Sequence, residues 1–309
     1  MTDCISIPGP ERVNKTKMIY YAETPLLKIA YLKQGEDHKS AVLLLHGWPD
    51  DATTWSGVIP KLTDGGYLVI APWLRGFGNT RFKAENTPRT GNFGIIAYDM
   101  IALMDSLNIE QFSVIGHDWG SKIAESLAVG WPGRVLKMAL LSSPPRLGGT
   151  PMPTFKHAQL EWYHWFMATN VGEKAVRKDP LEFTHIMWEN WAPKGWYSEK
   201  VFQETSESWK NPDFIDVTLH SYRSRWGEAE PDDYSKELEE KIKATKTLSL
   251  PVLYVQGEAD GVNPPYASAH VHEKFTGPFN RILMPGVGHF PSREAPSELS
   301  RHLVDFLNI

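Results

Sequence analysis

The stretch VIGHDWGS, residues 114–121, closes an apolar run on a glycine-flanked carboxylate, Asp118. A serine there would make the stretch a nucleophile elbow, the sharp strand-to-helix turn that leaves its central side chain exposed and strained. Gly116 and Gly120 are the small residues such a turn requires. A carboxylate needs no base to become nucleophilic. It is ionised near neutral pH and attacks a saturated carbon directly, displacing a leaving group and forming an alkyl ester. Hydrolysis of that ester then requires a base and a group to orient it. His289 in GVGHF (286–290) and Asp260 in GEADGVNPP (257–265) supply those types, in the chain order nucleophile, acid, base. Taken alone, Asp118 reads as a cap for a helix beginning at Ser121. The three residues together, each at a strand end, favour the chemistry.

The elements that must position them follow from hydrophobic patterning. Short apolar runs ending in glycine or turn residues read as strands at 40–47, 65–72, 112–118, 135–145, 250–260 and 281–290. Between them lie helical patterns. In IIAYDMIALMDSL, Ile96, Met100, Leu103, Met104 and Leu107 fall on one face, and PSELSRHLVDFL closes the chain as a helix. Continuous apolar strands alternating with helices predict an α/β fold, a mainly parallel sheet with helices on both faces. The alternation stops at about Leu147 and resumes after about Ser249. The intervening stretch is helical and holds seven of the twelve tryptophans. The expected organisation is an α/β core of residues 1–146 and 249–309, interrupted by a helical insert over 147–248.

Bulk properties bound the partners. The 309 residues carry a formal net charge of −5 with scattered basic residues, so no nucleic-acid footprint is present. The only cysteine, Cys4, excludes a disulfide framework or a cysteine-based metal site. The stretch MTDCISIPGPERVNK lacks the apolar core of a signal peptide, and no run approaches the roughly 20 apolar residues of a membrane span. A cytoplasmic protein without membrane or nucleic-acid partners is expected, with a homodimer one option for its assembly. His270 and His272 have no further ligands in sequence to suggest zinc and read as surface residues. Gly76 and Gly78 form a turn rather than a dinucleotide loop.

The signatures HGWPD (46–50), RGFGNT (75–80), GHDWGS (116–121), GEADGVNPP (257–265) and GVGHF (286–290) make the chain recognisable. It resembles the α/β-hydrolase superfamily over essentially its whole length. Within it, the chain is similar to the Asp-nucleophile branch of soluble epoxide hydrolases, haloalkane dehalogenases and fluoroacetate dehalogenases. The resemblance implies a helical cap over 147–248, no cofactor and no metal. It gives Asp118 as nucleophile, His289 as general base and Asp260 as the residue orienting it, with Asp260 rather than Glu258 matching the family position. It also implies an oxyanion hole of the backbone N–H groups of Trp48 and Trp119.

The leaving group separates the branch members. A halide departs unprotonated, whereas an epoxide oxygen departs as an alkoxide and needs a proton donor. Epoxide hydrolases place two tyrosines in the cap for this, and HSYRSRW (220–226) resembles the second, making Tyr222 the candidate donor. EWYHWFMA (161–168) resembles the other cap helix, leaving Tyr163, His164 or Trp165 as substrate-binding candidates; the bland alternative is aromatic core. Fluoroacetate dehalogenases share the pair His164-Trp165, but bind the substrate carboxylate through arginines after the nucleophile, where this chain has Trp119 and Lys122. They also carry the triad acid after the next strand, where this chain has SSPP (142–145). Many haloalkane dehalogenases have Asn where this chain has Trp48. The expectation is hydrolysis of a small, apolar or aromatic epoxide to a vicinal diol through an Asp118 ester. A dehalogenase using the same first step is the alternative, and a non-catalytic ligand-binding relative is disfavoured by the complete triad.

Overall fold

The computed structural model describes residues 11–13, 17–37 and 39–309. Cys4 lies outside them, as do residues 1–10, 14 and 15 of the stretch read for targeting. Ten strands form one sheet: β1 (Glu11–Val13), β2 (Lys17–Glu23), β3 (Leu27–Gln34), β4 (Ala41–Leu45), β5 (Leu68–Pro72), β6 (Arg81–Phe82), β7 (Phe112–His117), β8 (Val135–Leu141), β9 (Val252–Gly257) and β10 (Phe279–Met284). Their order is β1-β2-β3-β5-β4-β7-β8-β9-β10, with β6 paired to β3. From β5 through β10 every neighbour is parallel, while β1, β2 and β3 add an antiparallel edge that the sequence reading did not anticipate. β4, β5, β7 and β9 are buried at every position. That is why they read as continuous apolar runs rather than alternating ones.

Two groups of helices flank this sheet. α1 (Ile59–Asp64) packs on α12 (Pro296–Leu307), while α2 (Phe93–Ser106) packs on α3 (Trp119–Gly130). Ile96, Met100, Leu103 and Met104 are fully buried on α2, and Leu107 caps its end half-buried. The strands stop short of several sequence expectations. The run 135–145 is strand only to Leu141, and the run 281–290 is strand over 279–284. In each case the chain leaves the sheet where proline or glycine takes over, and the remainder becomes the loops that carry the chemistry.

Between β8 and β9 the chain forms seven helices, α4 (Phe155–Leu160), α5 (Trp162–Ala168), α6 (Asn170–Lys178), α7 (Pro180–Trp191), α8 (Glu199–Ser206), α9 (Phe214–Arg225) and α10 (Lys236–Ala244). The last of them, α10, lies against α3 and α2. A short α11 (Pro291–Glu294) precedes α12. Among the described residues no helix is long and apolar enough to cross a membrane.

Candidate active site

Asp118 stands between the end of β7 and the first residue of α3 with φ 52° and ψ −110°, a conformation that L-residues rarely adopt. The turn is held by hydrogen bonds on both sides. Asp118 N donates to Leu141 O at 3.1 Å, and Ser121 Oγ donates to Gly116 O and Leu141 O at 2.7 and 2.9 Å. The helix begins at Trp119, not Ser121, and the Asp118 carboxylate makes no capping bond to it. The carboxylate therefore points elsewhere. Its Oδ1 accepts the Trp48 N–H at 2.9 Å, and its Oδ2 lies 3.7 Å from His289 Nε2.

A Cβ on Gly116 would fall within the Gly120 backbone, and one on Gly120 within the carbonyl of Leu45. Neither contact involves a side chain that could move aside. Gly116→Ala is accordingly expected to cost about 3 kcal/mol or more, at or beyond the upper end of ordinary overpacking. Chemical denaturation measures it, and a loss under about 1 kcal/mol would show that the elbow relaxes freely.

His289 is fully buried. Its Nδ1 lies 2.9 Å from Asp260 Oδ2. Asp260 Oδ1 in turn accepts the Val262 and Asn263 N–H groups at 3.0 and 2.8 Å, which fixes the carboxylate plane. Glu258, two residues earlier, is exposed. The 3.7 Å gap from His289 Nε2 to Asp118 exceeds a hydrogen bond, and Nε2 has no other partner among the described residues. The interaction across it is one of charge. Burial alone would lower the His289 pKa, but the two flanking carboxylates outweigh it and raise it to about 10. Burial alone would raise Asp118, but His289, His117 and the Trp48 N–H hold it down at about 2. The free site thus contains an imidazolium between two carboxylates.

His117 packs behind the elbow. Its Nε2 meets the His289 carbonyl at 2.6 Å and so must donate, and burial with the nearby His289 charge lowers its pKa to about 4. His46 has a comparable structural part: neutral by burial, it accepts the Leu74 N–H at Nε2 (3.1 Å) and joins the loops after β4 and β5. Asp50 of HGWPD is consumed by Arg293 (3.0 Å).

The insert helices close over this group. Trp191, the last residue of α7, accepts the backbone N–H groups of Gly261 and His289, both at 3.0 Å, and its ring lies 5.0 Å from the His289 ring. Tyr222 on α9 is buried. It accepts the Trp119 indole N–H at 3.3 Å, and its ring lies 5.2 Å from Trp48 and 5.4 Å from Tyr163. Burial, with a contribution from Asp118, raises the Tyr222 phenol above its usual range despite the Arg225 charge, so the phenol is protonated at neutral pH. Tyr163 is raised in the same way, by burial first and by Tyr222 next. His164 is buried and held neutral, by burial first and then by Arg225. Its ring lies 4.8 Å from Tyr222.

Trp165 stands apart from them. Its indole N–H donates to Ala158 O at 3.3 Å and its ring lies against Trp226. Of the other two tyrosines in the insert, Tyr197 pairs with His185 at 2.7 Å and Tyr234 is 73% exposed. His270 and His272 are exposed, and no group of three or more His, Cys, Asp or Glu is placed to hold a metal among the described residues.

Two neighbours of the site escaped the sequence reading. Trp191 carried no signal beyond the tryptophan density of its segment. Arg225 did carry one, since it stands three residues after Tyr222 and therefore on the same helix face.

The family profile described as alpha/beta hydrolase fold matches residues 40–296. The chain belongs to the α/β-hydrolase fold family. This α/β-hydrolase is 25% identical to epoxide hydrolase A of Mycobacterium tuberculosis over 92% of its own length and 95% of the relative's. It is 26% identical to a fluoroacetate dehalogenase of a Burkholderia species over 87% of each chain. A solved structure from Klebsiella pneumoniae, provisionally described as an epoxide hydrolase, superposes with a TM-score of 0.88 at 33% identity, covering 94% and 97% of the two chains.

Proposed function

We propose that this α/β-hydrolase converts an epoxide to a vicinal diol without a cofactor, using Asp118 as a covalent nucleophile under a cap formed by residues 147–248. Support for the hydrolase class comes from the family and from relatives named as epoxide hydrolases. The observation that carries the leaving group is Tyr222. A buried, protonated phenol hydrogen-bonded to the indole of Trp119, the residue after Asp118, suits a developing alkoxide, whereas a halide needs no proton. A dehalogenase is the second reading, favoured by the similarity to a fluoroacetate dehalogenase.

In the first step an Asp118 oxygen attacks an epoxide carbon, the ring C–O bond breaks, and Tyr222 gives its proton to the leaving oxygen. Tyr163 or His164 adds a second polar contact. Esterification removes the Asp118 charge, and with it one of the two carboxylates that keep His289 protonated. His289 then gives up its proton, which returns by way of solvent to the Tyr222 phenolate, and in its neutral form it takes a proton from water. The resulting hydroxide attacks Asp118 Cγ, and the N–H groups of Trp48 and Trp119 receive the oxyanion. Collapse breaks the Cγ–O bond to the substrate, the hydroxyl proton of the intermediate passes to the leaving oxygen, and the diol departs from the Asp118 carboxylate with His289 again protonated.

A panel of styrene-like epoxides, haloalkanes and fluoroacetate, assayed for diol and halide, tests the reading. Tyr222→Phe keeps the ring and its packing but removes the proton, and is expected to slow alkylation by epoxides about 10²–10⁴-fold. Ready halide release, no diol, and indifference to Tyr222→Phe would hand the site to the dehalogenase reading.

A further inference from the structure

Arg225 closes α9 with its guanidinium 4.1 Å from the centre of the Tyr222 ring, 4.7 Å from Phe93 and 5.6 Å from Trp119. Its Nη1 lies 3.4 Å from His164 Nε2, while Nε and Nη2 are buried and form no well-aligned hydrogen bond among the described residues, with the Tyr222 hydroxyl the nearby group that feels the guanidinium. An aromatic box engages the flat face of a guanidinium and leaves the N–H groups of its edge unanswered. Those two nitrogens are the side-on pair that grips a carboxylate bidentately. The same protein shows the fit elsewhere: Arg75 holds Asp99 through Nε and Nη2 at 2.6 and 2.7 Å. Arg225 presents the same pair of donors, with no carboxylate paired to them among the described residues.

A second cation stands near. Lys122, one turn after Asp118 on α3, forms no ion pair among the described residues and donates to Pro144 O. Burial lowers its pKa, Glu125 opposes this, and Arg146 and Arg225 add to the lowering, leaving it at about 8. Arg146, by contrast, is matched by Glu125 and Glu239. The triad itself, with two carboxylates and one imidazolium, carries one net negative charge and would repel an anion. Arg225, set against the Trp119 ring, opposes that charge, and Lys122 adds a second positive charge within electrostatic reach.

We propose that Arg225 forms an anion subsite of the Asp118 site, and that the substrate is an epoxide bearing a carboxylate. The epoxide half rests on the function proposed above; the anion subsite does not. The subsite departs from the apolar substrate expected from sequence, and it takes its arginine from α9 instead of from the residues after the nucleophile.

The test uses two unreactive probes, 3-phenylpropanoate and 3-phenylpropanamide, titrated calorimetrically into the wild-type protein at pH 7. The carboxylate is expected to bind about 10–100-fold more tightly, the range of a charge-assisted hydrogen-bonded pair. Arg225→Gln, with its melting temperature as a fold control, should bring the carboxylate to the affinity of the amide. Equal binding of the two probes by wild type, binding of neither, or an equal loss of both in Arg225→Gln would overturn the subsite. If Arg225→Gln does not fold, the wild-type comparison still decides. Neither probe can alkylate Asp118, so the subsite stands or falls independently of ring opening.

Discussion

Asp118→Ala is expected to abolish turnover, lowering it by at least about 10⁴-fold, while the protein still folds. The size of the effect follows from what the carboxylate is free to do. It makes no capping bond to α3, its pKa is held at about 2, and the Trp48 N–H fixes one oxygen at 2.9 Å. Ionised and oriented, it has no substitute nearby. Asp260, the other carboxylate beside His289, is taken up by His289 and two backbone N–H groups. The side chain is 12% exposed and its backbone strain is shared by alanine, so little packing is lost and the unfolding midpoint should move only slightly. The wild type offers a sharper version of the same test. A single turnover in heavy-oxygen water should leave the label in the Asp118 carboxylate and an unlabelled diol. Label in the diol on the first turnover would mean that water attacks the substrate directly.

Asp118, Asp260 and His289, the residues proposed to act together, stood out in sequence because each follows a parallel strand that gives way to a turn. Such turns impose small residues that survive as a pattern, as with Gly116 and Gly120 around Asp118. β4, β5, β7 and β9 were legible because burial on both faces leaves no polar positions to blur them. The antiparallel β1–β3 edge was missed because its hairpins follow no such rhythm. The helical insert is harder to read for a geometric reason. On α5, Tyr163, His164 and Trp165 are consecutive, and one residue rotates a side chain about 100° around the helix. Whether a ring joins the Asp118 group or packs on Trp226 depends on where α5 meets α9, a contact between segments sixty residues apart. Arg225 illustrates the same limit. Its spacing from Tyr222 was visible, but the lack of a carboxylate partner at its edge among the described residues is a property of the assembled structure alone.

His289→Gln is expected to separate the two half-reactions, with turnover falling about 10²–10⁴-fold while Asp118 is still alkylated. Intact-protein mass spectrometry should then show an adduct of one substrate mass accumulating with time. The argument rests on the charges around the imidazole. In the free site His289 is raised to about 10 by Asp118 and Asp260, so it is protonated and cannot act as a base before the ester forms. It contributes to alkylation only by holding Asp118 ionised. Without it the Asp118 pKa rises toward or above the ordinary carboxylate value, because burial is then opposed only by His117 and the Trp48 N–H. The experiment is therefore best done near pH 8, where the carboxylate stays charged. In the wild type the sign of the pH dependence differs between the steps. Alkylation needs ionised Asp118 and protonated Tyr222, and is expected to be flat from about pH 5 to 8. Deacylation needs neutral His289 and should rise with pH through the His289 pKa of the ester, which lies below that of the free site because one carboxylate has been neutralised. A His289→Gln protein that binds substrate yet never gains mass would remove this division of labour. Such a result would make His289 a participant in the first bond-making step.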